Sequence, residues 1–289
     1  MMMAWKCVWA TLLLSSCQGS PEDTATTTAE FEWYRPMQDM NQLNVFCNLW
    51  DKPRDLFCYD LFSRSQRVAK TFRRSGFQSA AFDIATFAHE DILSKKGFLQ
   101  AVDTALRLVD HGLIMAAVPC SLFVPISFSI HGRYAWQPLG RTANFKVRMA
   151  NQIAENTIAL LRLVLTARPS TLIVLENPKG SMLYQLPSVA AFLYELGFIG
   201  LLTYLGLYGM DLLKPTWLRT NMQTANGLAR KATKKVKAQF TQRIERKKAR
   251  RQAKGLPAKV YYTSSVSRVG KKQFSGGPAL QETSTYPQR

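Results

Sequence analysis

Two pairs of polar residues stand where apolar runs stop. Pro119-Cys120 closes the run 113–118, and Glu176-Asn177 closes the run 171–175. A thiol set behind a proline at a strand end can act as a nucleophile, although an isolated cysteine equally serves as a small buried hydrophobe. A carboxylate carried inward by an apolar run needs a partner there, which makes it a candidate for handling protons or developing charge. Two further acids end apolar stretches: Asp60, in Asp60-Leu61-Phe62-Ser63-Arg64-Ser65-Gln66, and Asp83, 23 residues later. That separation is near the roughly 20 residues at which an acid beyond a phosphate-binding turn reaches a ribose hydroxyl. Asp60 has a plainer reading as an acceptor for turn amides, and Asp91 as a helix cap.

The elements that must hold these residues alternate. Strand-like patterns cover 55–62, 79–84, 113–118, 171–175 and 199–205, and helical spacing covers 66–75, 97–110, 146–166 and 187–196. Continuous apolar strands separated by helices predict an α/β fold: a doubly wound, Rossmann-like sheet with helices on both faces. In such sheets ligands sit at the carboxyl ends of the strands, where these polar residues fall. The stretch 189–213 is apolar enough to raise the question of a membrane span. Glu195, Gly197 and Gly200 interrupt it, so a helix followed by a strand is expected and no integral span in the body.

The charge is unevenly divided. Residues 228–289 carry 17 Lys+Arg against Glu245 and Glu282, a net +15, which leaves +4 of the total +19 for residues 1–227. With 47% hydrophobic and 11% aromatic residues the body is expected to be globular. Within the tail, 229–254 has no Pro or Gly, and Val236, Phe240 and Ile244 recur every fourth residue, so a basic helix with a thin apolar stripe is expected. Lys234, Lys235, Arg246, Lys247, Lys248, Arg250 and Arg251 are its candidate phosphate contacts. Beyond Gly255 the Ser, Gly, Pro and Thr content predicts disorder. The other end differs: Lys6 precedes an apolar run, and Leu14-Ser15-Ser16-Cys17 looks like a lipobox, so residues 1–20 read as a signal or targeting segment. Residues 21–45 read as a linker. A secretory start conflicts with a tail that reads as a nucleic-acid arm or nuclear localisation signal. An intracellular, nuclear location is the expectation, because the tail needs a polyanion and a reactive thiol stays reduced there. Five cysteines without regular spacing and three scattered histidines predict neither a disulfide scaffold nor a metal site.

The order DLF, an acid ending the next strand, PC and then ENP resembles the cytosine-5 DNA methyltransferases, with their DLFxGxG, acidic strand end, PC and ENV. The likeness covers about residues 55–180, and 208–221 is similar to a YG…KPT…TN pattern of divergent methyltransferase-like proteins. It implies a methyltransferase-like domain over 46–225 followed by a basic tail over 226–289, S-adenosylmethionine as cofactor, and nucleic acid, DNA rather than RNA, as partner to a monomer. Cys120 would add to carbon 6 of cytosine, Glu176 would bind and protonate the ring at N3, and Asn177 and Pro119 would hold these groups in place. Asp60, Ser63 and Ser65 would shape the cofactor loop, Asp83 would take the ribose hydroxyls, Asp91 the adenine amino group, and Phe62 and Ile84 would pack on the adenine. Residues 121–141, with His131, Arg133, Tyr134, Trp136 and Arg141, would close over a flipped base. Arg133, Arg141 and Lys214 are expected to contact nucleic acid.

The pattern departs at Arg64 and Gln66, which stand where the family has glycines that let backbone amides approach the cofactor. Only seven residues separate Asp83 from Asp91, QxRxR is absent, and no segment is long enough for a separate target-recognition domain. A second reading therefore stands beside the first: a catalytically degenerate methyltransferase fold that binds nucleic acid or acts as a scaffold.

Overall fold

The computed structural model describes residues 52–208, 210 and 212–256, together with the backbone of 262–266 and 272–276. The targeting segment and the 21–45 linker lie outside the described residues, as does much of the chain after Leu256.

The body is an α/β fold built on a six-stranded, mostly parallel sheet. In chain order its elements are β1 (Leu56–Leu61), α1 (Arg67–Arg74), β2 (Ser79–Phe82), α2 (Lys95–Ala105), β3 (Leu108–Ala116), the single-turn α3 (Phe128–His131), α4 (Phe145–Ala167), β4 (Leu172–Pro178), α5 (Pro187–Glu195), β5 (Ile199–Tyr204) and β6 (Pro215–Thr220). The sheet order is β2-β1-β3-β4-β6-β5. β2, β1, β3 and β4 are parallel, whereas β6 runs antiparallel between β4 and β5. The basic helix α6 (Lys234–Ala253) follows, and then an antiparallel pair, β7 (Tyr262–Val266) and β8 (Lys272–Gly276), where composition predicts no regular element.

Alternation along the strands divides the interior into two layers. Ile114, Ala116, Ile173 and Leu175 join a large core with Ala101 and Val102 of α2, Leu160, Leu161 and Val164 of α4, and Val189 and Phe192 of α5. Met115 and Val174, one residue out of phase, join Leu201, Leu218 and Ala225 on the other face, where Val68 of α1 packs. Helices therefore cover both faces, as expected. The apolar stretch at 189–213 resolves into α5 and β5, and among the described residues no helix is long and apolar enough to cross a membrane.

The largest departures from the sequence expectation lie around β3 and at β6. The helix read to residue 110 stops at Ala105, and β3 begins at Leu108 rather than residue 113. The cause is an irregular stretch: Leu56 pairs with Leu108 but Cys58 with Leu113, and His111 takes up the extra length at φ +61°. Arg107 and Asp55 form an ion pair beside it, and Arg54 binds Asp110 at 2.9 Å. β6 has no counterpart among the expected strands, because residues 208–221 read as a motif rather than an element. At the start of α2, Ser94 Oγ accepts the Gly97 amide, and a Cβ at Gly97 would stand 2.1 Å from the Asp91 carbonyl oxygen, so only glycine fits there.

Candidate functional site

Register sets the site. Phe82 pairs with Leu61, Leu61 with Ala116 and Ala116 with Leu175, so four parallel strands end on one line. The chain leaves β1 for β2 on one side and returns to β3 on the other, which makes the β1/β3 boundary the topological switch point, the place where open sheets bind ligands. Asp83, Phe62, Ala117 and Glu176 are each the next residue past that line. At strand spacings near 4.8 Å the four ends span roughly 14 Å.

At the β1 end, buried Asp60 accepts the Ser63 hydroxyl at 2.6 Å and the Ala69 amide at 3.1 Å. It thus ties the turn to α1, and the plainer of its two readings describes its contacts. Burial raises its carboxyl above the usual value while those hydrogen bonds oppose the shift. Phe62 and Gln66 both have positive φ, +59° and +51°. Gln66 occupies the second glycine position of the loop pattern, so the backbone keeps a glycine conformation under a side chain. That side chain turns to Arg73, which donates to its Oε1 at 3.3 Å, while Arg64 is exposed and Ser65 half-buried.

At the β2 end Asp83 Oδ1 accepts the Ala85 amide at 2.7 Å, and the Asp83 amide donates to Glu90 at 2.7 Å. Ile84 beside it is 58% exposed, a large apolar side chain left in water just past the end of β2. Asp91 Oδ1 accepts the Leu93 amide at 2.9 Å, so it shapes the turn ahead of α2, whose cap is Ser94.

The β3 and β4 ends are joined directly. Asn177 Nδ2 donates to the Val118 carbonyl at 2.8 Å, while its Oδ1, fully buried, has no hydrogen-bond partner among the described residues. Pro119 is exposed and Cys120 half-buried. Lys214 Nζ stands 3.7 Å from Glu176 Oε1, both side chains mostly buried. Burial pushes the Cys120 thiol above its ordinary value, Lys214 draws it down and Glu176 raises it further. Cys120, Glu176, Asn177 and Lys214 therefore form one cluster. No protein-family model matches the chain, and no curated protein matches it significantly.

The expected nucleic-acid contacts separate into three groups. Arg133 needs correction: it is 2% exposed, donates to the Leu122 and Pro138 carbonyls at 2.8 and 2.6 Å, and lies over the Phe123 ring at 4.3 Å. Burial lowers its guanidinium to about 10, still charged at neutral pH, and it braces the loop rather than meeting a phosphate. Lys214 is likewise an internal partner of Glu176 and not a solvent-facing contact. Arg141 is exposed, with one donor bound to the Ser129 carbonyl at 2.9 Å. The tail residues Lys234, Lys235, Arg246, Lys247, Lys248 and Arg250 are exposed on α6, and Arg251 is half-buried.

His131, read as part of a closing loop, is a buried brace as well. Its Nδ1 accepts the Arg133 amide at 3.0 Å, which leaves the proton on Nε2 for the Val124 carbonyl at 2.9 Å. Sequence reasoning missed the Lys214 to Glu176 pairing. The register alone does not give it: β6 pairs Leu218 with Glu176 and Thr216 with Pro178, and Lys214, just before β6, reaches Glu176 only through its long side chain.

Proposed function

We propose that this chain is a divergent S-adenosylmethionine-dependent methyltransferase acting on nucleic acid, with cytosine carbon 5 in DNA as the target atom. The observation that carries the reading is the grouping of Cys120, Glu176 and Lys214 past the β3 and β4 ends, on the same sheet edge that Asp83 follows at β2. The order of the sheet, with β6 reversed between β4 and β5, agrees with a methyltransferase sheet whose element between Asp83 and Asp91 has been shortened.

The cofactor loop bears on the fit. Gln66 keeps the backbone of a glycine and turns its side chain to Arg73, so the substitution need not block the loop. Asp83 is assigned the ribose hydroxyls and exposed Ile84, with Phe62, the face of the adenine. When bound, S-adenosylmethionine supplies an electrophilic methyl group. The Cys120 thiolate adds to carbon 6 of the ring, which makes carbon 5 nucleophilic. Glu176 hydrogen-bonds the ring at N3, where charge changes during the attack, and the Lys214 ammonium balances the buried carboxylate and thiolate. Asn177, tied to Val118, sets the distance between the β3 and β4 ends.

The second reading, a nucleic-acid-binding protein on a degenerate methyltransferase fold, is favoured by Asp60 and Asp91, whose carboxylates are engaged in their own turns. Transfer of labelled methyl groups to cytosine-containing DNA separates the two. Wild type is expected to transfer and Cys120→Ala to lose transfer with cofactor affinity retained; transfer by the alanine variant would overturn the covalent mechanism.

A further inference from the structure

Loop 121–141, expected from the resemblance to close over a flipped base, carries a stacked aromatic pair on its outer surface. Trp136 is 80% exposed, yet its ring is ordered against Tyr134, with centroids 4.6 Å apart and planes 12° from parallel. Phe128 meets Tyr134 edge-on at 5.0 Å. The stack stands on a fixed base, since Tyr134 and Gln137 form a β-bridge and the buried side chains of His131 and Arg133 bind the loop backbone beneath it. A large apolar group held in water by a rigid support is a common sign of a binding surface.

The charge around the stack says what would bind. No Asp or Glu occurs between Asp110 and Glu155, whereas Arg141, Lys146 and Arg148 lie in that interval and are exposed. Arg141 is anchored to the Ser129 carbonyl and Arg148 to the carbonyls of Thr142 and Ala143, so both cations are held in place with donors to spare. Flat aromatic faces on a stretch of chain that carries cations and no acids suit single-stranded nucleic acid, whose bases offer π-faces and whose backbone offers phosphates. A duplex keeps its base faces inside the stack. A lipid surface gains nothing from ring faces held parallel, whereas a base extends such a stack.

We infer that Tyr134 and Trp136 form a stacking platform for a base of single-stranded nucleic acid, with Arg141, Lys146 and Arg148 taking its phosphates. This rests on the methyltransferase reading only in naming the strandedness of that enzyme's substrate, and binding is measured without cofactor so that the two can fail separately.

The test uses the full chain and fluorescence anisotropy with labelled oligothymidylate, oligouridylate and a blunt duplex of equal length, over one common series of salt concentrations, with phosphatidylserine vesicles as a fourth arm. Trp136→Ala is expected to weaken single-strand binding about tenfold, the effect of one lost stacked base, and to leave duplex binding by α6 unchanged. Trp136→Phe should retain most of the affinity, and Arg141→Ala should reduce the salt slope by about one. A drop with oligothymidylate, oligouridylate or both supports the platform and says which sugar it accepts. Equal single-strand affinity of Trp136→Ala and wild type, or a loss confined to vesicles, overturns it. Because Trp136 lies outside the core, an unchanged melting temperature shows that the variant is folded.

Discussion

The ammonium of Lys214 stands 3.7 Å from Glu176 Oε1, and both act electrostatically on the Cys120 thiol. Lys214 belongs to the turn entering β6 and Glu176 to the end of β4, where Glu176 pairs with Leu218, so the length of the lysine side chain closes the gap between the charges. Removing one member of a mostly buried pair leaves the other without its main compensation.

A first prediction concerns the thiol. Burial holds Cys120 protonated at neutral pH, so its alkylation by iodoacetamide should rise with pH through a midpoint above an ordinary thiol's, about 8.5. Lys214→Ala should move that midpoint up and Glu176→Gln should move it down. Peptide mass spectrometry resolves Cys120 from buried Cys58, whose thiol is pushed up to about 12. Shifts in the opposite directions would remove Lys214 and Glu176 from the site.

A second concerns loop 121–141. His131 is neutral in the fold, with its value lowered mainly by burial. A lowered value means that its contribution is complete above the ordinary histidine value, about 6.5, and is lost as pH falls through the folded value. Protonating Nδ1 would also set a proton against the Arg133 amide. Thermal melts should show stability falling below about pH 6 in wild type and a flatter profile in His131→Ala, which is itself destabilised by about 1–3 kcal/mol.

A third concerns Gln66. Its left-handed backbone costs about 1–2 kcal/mol, and glycine removes that strain at an entropic cost of about 0.5–1 kcal/mol. Gln66→Gly should therefore be neutral to about 1 kcal/mol more stable, whereas Gln66→Val should be clearly less stable in urea denaturation. A destabilised glycine variant would mean that the Gln66 to Arg73 contact outweighs the strain.

A fourth concerns the tail. A Cβ at Gly206 would lie 2.8 Å from both Leu213 Cα and the Phe240 ring, which places the apolar stripe of α6 against the body. Gly206→Ala should destabilise by about 1–3 kcal/mol through that overlap. Deleting residues 228–289 should flatten the salt dependence of nucleic-acid binding, and an unchanged slope would deny the tail that role.

Much of this was legible before any coordinates. The parallel strands announced themselves as apolar runs because both faces are covered, and their polar ends marked the sheet edge that Asp83, Cys120 and Glu176 follow. Val236, Phe240 and Ile244 foretold which side of α6 is half-buried. Other features lay outside the reach of local pattern. The bulge at His111 is a matter of register between β1 and β3, and β6 pairs with residues far away in the chain. Charge alone could not separate Arg133, caged by carbonyls and a ring, from Arg141, which reaches solvent. Residue type likewise tells nothing of φ, so the left-handed backbone at Gln66 was out of reach of the sequence.

The central claim is that the edge formed by β1, β2, β3 and β4 holds S-adenosylmethionine. Isothermal titration of the full chain with that cofactor tests it most directly. The account predicts saturable binding at one site per chain, weakened about tenfold or more by Asp83→Ala through loss of charged hydrogen bonds; no detectable heat at millimolar cofactor would contradict it.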